Sequence, residues 1–273
     1  MIRLLALDLD GTLLRRDGSV APQDVLAIDR ARREGLAVTL ATGRIAGGTR
    51  PTAQALGLDT PYVCSDGALL VDPLTDRVLE HRPLGEQLVR EVTEALTLRG
   101  LLPVWFTLDD VHGETGAEAL SPVLSIWSPR VHFHATLAAL AVDHGAVTFA
   151  LGVGAEGPVQ DARDALFERH GERAEVLAFQ WSRQTTWTVL VRARGVDKAS
   201  GLAALARRVG LGAHEIAVCG DWFNDVPMFR WAGRSFAMGQ SPEAVASEAT
   251  DRLQATHHTG GGVAEALARL LGW

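Results

Sequence analysis

The stretch from Ile2 to Leu13, IRLLALDLDGTL, decides the fold of this 273-residue chain. A nearly continuous apolar run that ends at a glycine is typical of a buried strand in a parallel sheet. Asp8 and Asp10 then lie at the carboxyl end of that strand, where open α/β sheets bind their ligands. Two carboxylates this close repel each other unless a cation or a shared proton relieves them. The stretch therefore favours a metal ion beside an attacking carboxylate. The alternative, without a function, is a strand end that is capped by a surface turn.

Three further segments place polar residues at the end of an apolar run or at the start of a helical pattern. Thr42-Gly43-Arg44 follows the apolar run 36–41, and Lys198 opens a helical pattern behind Gly-Val-Asp. The sequence GDWFND, residues 220–225, follows the apolar run 216–219. In an α/β protein, such positions lie at the edge of the sheet where ligands bind.

In order and context, these four motifs resemble those of the haloacid dehalogenase (HAD) superfamily, and specifically its Cof-type sugar-phosphatase branch. The resemblance continues through Ala237-Met238-Gly239 and Gly262-Val263-Ala264, so it covers nearly the whole chain. It implies an α/β fold in which a doubly wound parallel sheet, the HAD-like Rossmannoid core, carries an inserted α/β cap domain.

The pattern of the first 83 residues points to the same kind of core. Strands are expected at 2–7, 36–41 and 62–64, helices at 22–34 and 45–56, a hairpin turn at 15–18 and a β-ribbon over 69–81. Both helical patterns end at a glycine, as helices commonly do. Alternation of strands and helices is typical of a parallel, doubly wound sheet.

The pattern changes over 84–185, which we interpret as the inserted cap domain, with 1–83 and 186–273 forming the core. Helices are expected at 86–99 and 159–170 and strands at 102–107, 149–153 and 176–179. Over 109–129 the apolar residues recur with no helical or strand periodicity, so no element is assigned there. Residues 187–191 are expected to lead back into the core. The insert is rich in tryptophan and histidine: Trp105, Trp127, Trp181, His112, His132, His134, His144 and His170.

Composition limits the classes of function. The 47% hydrophobic and 22% charged residues are ordinary for a soluble globular protein. A net charge of −7 without a basic block argues against nucleic-acid binding. No apolar stretch approaches the roughly 20 residues that span a bilayer, and Asp8 and Asp10 interrupt any signal-peptide pattern. With Cys64 and Cys219 as its two cysteines, the chain implies no disulfide framework, and we expect a cytoplasmic location.

The resemblance assigns the central chemistry to the acidic residues. Asp8 would be the nucleophile that forms an aspartyl phosphate, and Asp10 would protonate the leaving oxygen and then activate water. The charge would be countered by Mg²⁺, held by Asp8, Asp221, Asp225 and the main-chain carbonyl of Asp10. Helix N-capping is the plain alternative for Asp221 and Asp225, and it is compatible with metal binding.

The other motif residues would bind the phosphoryl group. Thr42 and the amide of Gly43 would hydrogen-bond it, Lys198 would neutralise it, and Asn224 would orient the lysine or the phosphate. Capping of the next helix is the plain alternative for Thr42. A lysine at a helix start opposes the helix dipole, which argues for a functional partner. For Arg44, substrate contact and pairing with a structural carboxylate are equally open.

Several departures from the family pattern bear on substrate choice and on efficiency. Asp66 stands where the family usually has asparagine, and Gln240 stands where asparagine is common. Trp222 and Phe223 are unusually bulky between Asp221 and Asn224.

The sequence therefore predicts a Mg²⁺-dependent phosphatase for a small phosphate monoester, a sugar or related metabolite phosphate. A phosphomutase is the alternative among enzymes. A phosphorylatable Asp module and a catalytically silent binding protein are the alternatives outside enzymes. The length of the chain and Asp10 argue against the first of these, and the complete acid set argues against the second. Carbon–halogen hydrolysis is disfavoured because it would not need Asp10.

The sheet order that the resemblance implies also predicts the state of the cysteines. Two strands separate the strand that ends at Cys64 from the strand that ends at Cys219. Three steps of about 4.8 Å give a separation of roughly 14 Å, well beyond the ~7 Å limit for a disulfide. Both thiols should be free.

Overall fold

The computed structural model describes residues 1–137, 146–180 and 186–273, so Trp181 and His144 lie outside the described residues. The chain divides into two compact units. The first comprises Met1–Gly43, Arg50–Glu80 and Asp197–Trp273, and the second comprises Arg44–Thr49 and His81–Val196. Among the described residues, no helix has the length and apolar character needed to cross a bilayer.

Strands and helices alternate along the first unit, whereas strands dominate the second. The strands are β1 (Leu4–Leu7), β2 (Ala37–Leu40), β3 (Tyr62–Cys64), β4 (Leu69–Val71), β5 (Val78–His81), β6 (Leu102–Phe106), β7 (Val111–Glu114), β8 (Val131–His134), β9 (Phe149–Gly154), β10 (Ala174–Gln180), β11 (Trp187–Ala193), β12 (Ile216–Gly220), β13 (Arg234–Ala237) and β14 (Asp251–Arg252). The helices are α1 (Pro22–Arg33), α2 (Ala46–Ala55), α3 (Glu86–Thr97), α4 (Ser121–Leu124), α5 (Glu156–His170), α6 (Lys198–Val209), α7 (Val226–Trp231), α8 (Glu243–Ala246) and α9 (Gly262–Leu271).

A five-stranded parallel sheet in the order β14-β13-β12-β1-β2 forms the centre of the first unit. The central strand β1 is fully buried, which explains why it is apolar on both faces. A bridge between Ala41 and Val63 continues the sheet to β3, which also forms a smaller sheet with β4 and β5. The predicted doubly wound α/β class is therefore confirmed.

Helices α6 and α7 cover one face of this sheet. Leu4 and Ala6 of β1 share an apolar cluster with Leu202 of α6 and Met228 of α7. Burial of a leucine side chain contributes about 1.5–3 kcal/mol, so this cluster stabilises the strand that carries Asp8.

The strand order confirms the prediction about the cysteines. Cys64 ends β3 and Cys219 lies in β12, with β1 and β2 between them. Both cysteines are buried thiols and form no disulfide with each other.

The second unit contains a six-stranded sheet in the order β10-β11-β9-β6-β7-β8. Its pairings are antiparallel except for the parallel pair β7–β8. Successive residues of β6 point to opposite faces of the sheet. Trp105 packs with apolar residues of α3 and α5 on one face, and Phe106 stacks on Phe149 at 4.3 Å on the other. The Trp105 indole donates to Thr93 Oγ1 at 2.9 Å, so this tryptophan is a core residue of the unit.

The division of the chain differs from the expected domain boundaries. β11, expected to lead back into the core, pairs with β9 and β10, and its buried Val189 and Val191 belong to the core of the second unit. The last segment of the first unit therefore begins at Asp197 instead of 186. An apolar alternation shows that a strand is half-buried but does not show which sheet it joins. The stretch 109–129, for which the sequence predicted no element, contains β7 and α4. Strand β8, which follows it, was not predicted either.

Candidate active site

The polar motifs of the first unit meet at the carboxyl ends of its parallel strands. Asp8 directly follows β1, Asp221 directly follows β12, and Thr42 lies two residues beyond β2. The amide of Asp8 donates to the carbonyl of Cys219 at 2.9 Å, and that of Thr42 donates to Val63 at 3.0 Å. The sheet thus brings three motifs, far apart in sequence, to one edge.

A tight turn after β1 presents the two aspartates differently. The amide of Leu14 donates to the carbonyl of Leu9 at 2.8 Å, and Gly11 adopts a φ of +88°. A Cβ at Gly11 would also collide with the carboxylate of Asp221. Glycine is required there for both backbone and space. The turn leaves Asp8 buried and Asp10 exposed.

Lys198 enters the site from the first turn of α6. Asp197 caps this helix by accepting from the amide of Ser200 at 2.7 Å. The ammonium of Lys198 is buried and donates to Asp8 Oδ1 at 2.6 Å and to Asp225 Oδ1 at 2.5 Å. Burial alone would lower the pKa of Lys198, but the carboxylates of Asp225 and Asp8 outweigh it and raise that pKa. The lysine is therefore a fixed positive charge, and it is the only lysine in the sequence.

Three buried carboxylates surround this single ammonium. Oxygen atoms of Asp8, Asp221 and Asp225 all lie within 4.8 Å of one another. Burial, followed by the charge of Asp225, raises the pKa of Asp221 to about 7. Burial also raises the pKa of Asp8 well above its usual range, against the opposing charge of Lys198. The cluster carries more negative charge than Lys198 can balance, so it favours a bound cation.

The donor set fits Mg²⁺, which prefers carboxylate, carbonyl and water oxygens. Asp221 Oδ1 is buried and has no hydrogen-bond partner among the described residues, so it has a lone pair to offer. Asp225 is more heavily engaged, because its Oδ2 accepts from the amides of Asp221 and Trp222 at 2.8 and 2.9 Å. Asp225 thus caps the short 3-10 turn 223–225 from its last position, whereas at the start of α7 its side chain makes no capping hydrogen bond among the described residues.

The phosphate-binding candidates lie around the turn that follows β3. Thr42 is buried, and its carbonyl accepts from the amide of Asp66 at 3.0 Å. The amide of Asn224 donates to Asp66 Oδ1 at 3.0 Å, whereas the ammonium of Lys198 donates to Asp8 and Asp225. Asn224 therefore contacts Asp66, and its expected role towards the lysine or the phosphate stays a prediction. Asp66 adopts a positive φ of 49°, which aspartate tolerates better than most residues.

Gly43 and Arg44 fall on either side of the division between the units. A Cβ at Gly43 would approach Asp66 Oδ1 to 3.2 Å, so only a small residue fits comfortably. Arg44 belongs to the second unit, where its guanidinium donates to the carbonyl of Gly48 at 3.5 Å.

Gln240 also joins the acidic cluster, a contact that the sequence did not indicate. Its side-chain amide lies between the turn after β1 and Asp221. The departure from the usual asparagine was visible in the sequence, but its partners were not.

A model of the haloacid dehalogenase-like hydrolase family matches residues 5–267. The chain belongs to this family. This HAD hydrolase is 32% identical to pyridoxal phosphate phosphatase YbhA of Escherichia coli K12, over 90% of this chain and 91% of that protein. It is 30% identical to 5-amino-6-(5-phospho-D-ribitylamino)uracil phosphatase YitU of Bacillus subtilis 168, over 94% of each chain.

Solved structures show the same fold for this HAD hydrolase. A haloacid dehalogenase-like hydrolase from Bacteroides thetaiotaomicron superposes with a TM-score of 0.86 at 22% identity, over 99% of this chain and 100% of that one. The predicted superfamily, its Rossmannoid core with a cap and the enzyme class, a HAD-type phosphatase, are confirmed.

Proposed function

We propose that this HAD hydrolase removes the phosphoryl group from a small phosphate monoester, with Mg²⁺ and through an aspartyl phosphate on Asp8. The observation that carries the proposal is the pairing of Asp8 Oδ1 with the buried ammonium of Lys198 at 2.6 Å, beside two further carboxylates. The lysine holds the nucleophile in a fixed rotamer and lowers the repulsion between its carboxylate and an approaching phosphoryl dianion.

In the first half of the reaction, a carboxylate oxygen of Asp8 attacks phosphorus while the bond to the leaving oxygen breaks. Asp10 gives its proton to that oxygen. In the second half, Asp10 takes a proton from water, which attacks phosphorus and releases the Asp8 carboxylate and inorganic phosphate. The exposure of Asp10 and the burial of Asp8 suit these roles, because a general acid–base must exchange protons with solvent.

The remaining polar groups hold the phosphoryl group and its charge. Mg²⁺, held by Asp8, Asp221, Asp225 and the carbonyl of Asp10, would neutralise part of the negative charge. Lys198 supplies a second positive charge. The hydroxyl of Thr42 and the amide of Gly43, at the carboxyl end of β2, would donate to phosphoryl oxygens.

The relatives support a small-molecule substrate. Their names specify pyridoxal phosphate and 5-amino-6-(5-phospho-D-ribitylamino)uracil, which are small phosphate esters. We propose a substrate of this size, a sugar or related metabolite phosphate. We also propose a cytoplasmic location, because two buried cysteines that form no disulfide with each other suit a reducing compartment.

The test is phosphate release from a panel of metabolite phosphates and an aryl phosphate, with Mg²⁺ and with EDTA. Asp8→Asn should abolish turnover because the amide cannot attack phosphorus, and Asp10→Asn should lower kcat by about 10²–10⁴. Mass spectrometry of protein quenched in acid should find the phosphoryl group on the peptide that contains Asp8. Asp17→Asn, in an exposed turn, is the control. Normal turnover by Asp8→Asn would show that the proposal is wrong.

A further inference from the structure

Gln240 lies at a junction of the candidate active site. It follows β13, whose carboxyl end adjoins that of β12. Its amide nitrogen donates to the carbonyl of Gly11 at 2.6 Å and to Asp221 Oδ2 at 3.2 Å. Its amide oxygen accepts from the backbone amide of His257 at 3.1 Å. One side chain thus connects the turn after β1, the metal-site carboxylate after β12 and the segment that precedes α9.

These three contacts fix the orientation of the amide. The amide of His257 is a donor, so it must face the oxygen of Gln240, and the NH₂ group must face the other way. There it meets two acceptors, the carbonyl of Gly11 and the carboxylate of Asp221. A flipped amide would place oxygen against oxygen at both contacts.

The orientation decides which oxygen of Asp221 is available. Oδ2 accepts from Gln240, whereas the buried Oδ1 has no hydrogen-bond partner among the described residues. A group that hydrogen-bonds a metal ligand at an atom facing away from the metal commonly controls the metal affinity of the site. A neutral amide suits this task, because a lysine would compete with the cation and a glutamate would add a further carboxylate to the cluster.

We infer that Gln240 is the positioning residue of the metal site, which holds Asp221 so that Oδ1 points to the cation. The inference rests on the proposed function, since it assumes that the acidic cluster binds Mg²⁺. Gln240 itself touches neither the substrate nor the cation. Its effect passes through Asp221 and, through the carbonyl of Gly11, through the turn that carries Asp8 and Asp10.

The test measures Mg²⁺ binding to the full-length, substrate-free protein by isothermal titration calorimetry. Gln240→Met keeps the side-chain volume but removes all three hydrogen bonds, and it should raise the Kd for Mg²⁺ by about 10- to 100-fold. Gln240→Ala should do the same if methionine is poorly accommodated. At saturating Mg²⁺, the KM for the phosphate ester should stay within about twofold of wild type. Gln87→Met is the matched control, because Gln87 makes an exposed hydrogen bond to Glu91 in α3.

A double-mutant cycle separates positioning from a general structural effect. If Gln240 acts through Asp221, Gln240→Met should change the Kd little once Asp221→Asn is present. Equal effects in both backgrounds, or wild-type Mg²⁺ affinity in both folded Gln240 variants, would overturn the inference and leave the proposed function intact. Absence of Mg²⁺ binding by the wild-type protein would overturn both.

Discussion

Replacement of Lys198 by methionine tests the electrostatics of the acidic cluster most directly. Methionine fills a similar volume but removes the ammonium that lies 2.6 Å from Asp8 and 2.5 Å from Asp225. In metal-free protein, the buried carboxylates then lose their counter-charge. Removal of one partner of a buried ion pair typically costs about 3–5 kcal/mol.

A second argument gives the same magnitude. One carboxylate can be neutralised by taking up a proton, and at pH 7 this costs about 4 kcal/mol for a group whose ordinary pKa is near 4. Both values are a large share of the roughly 5–15 kcal/mol that stabilises a typical domain. With an m-value of about 2–3 kcal/mol per M, the urea midpoint should fall by about 1–2.5 M.

The assay is urea unfolding in EDTA at pH 7 and again at pH 5. The loss should be smaller at pH 5, because protonation of a carboxylate is easier there. Arg33→Met is the control, since its guanidinium is exposed and pairs with Asp29 on the surface of α1. An unchanged urea midpoint for Lys198→Met at pH 7, or a loss that does not depend on pH, would refute this account of the cluster.

Two further outcomes follow from the same geometry. Gly11→Ala should weaken Mg²⁺ binding and lower kcat by at least about tenfold. The φ of +88° disfavours alanine, and the alanine Cβ would displace the carboxylate of Asp221. Calorimetry measures the first effect and steady-state kinetics the second. In EDTA, the pKa of about 7 for Asp221 should make stability fall as pH rises from 4 towards 7, because the folded state holds a proton that the unfolded state has released. Asp221→Asn should remove the part of this slope that Asp221 contributes, on the order of 4 kcal/mol, and leave the part that the raised pKa of Asp8 contributes. An unchanged slope in urea titrations would contradict the raised pKa of Asp221.

The parts of the site that lie at element boundaries could be predicted from the sequence. Asp8 follows an apolar strand and Lys198 begins a helix where its charge is unfavourable, so each position is conspicuous from local pattern alone. The parallel sheet then brings them together, because strands that alternate with helices end at one edge.

Contacts between distant polar residues could not be predicted in this way. Asn224 and Asp66 are 158 positions apart, and Gln240 and Gly11 are 229 positions apart, and no periodicity encodes such pairs. The same limit applies to β11, whose alternating valines would suit either sheet. Local pattern gives the buried face of a strand, but its neighbours depend on the rest of the chain.

The single lysine gives this protein an unusual chemical simplicity. Lys198 carries the only side-chain primary amine of the sequence. It is buried and held in its protonated form, so it is a poor nucleophile towards amine-directed reagents. Fluorophores or solid supports that couple through amines should therefore react poorly with Lys198. Such labelling would leave the ammonium of the candidate active site unmodified.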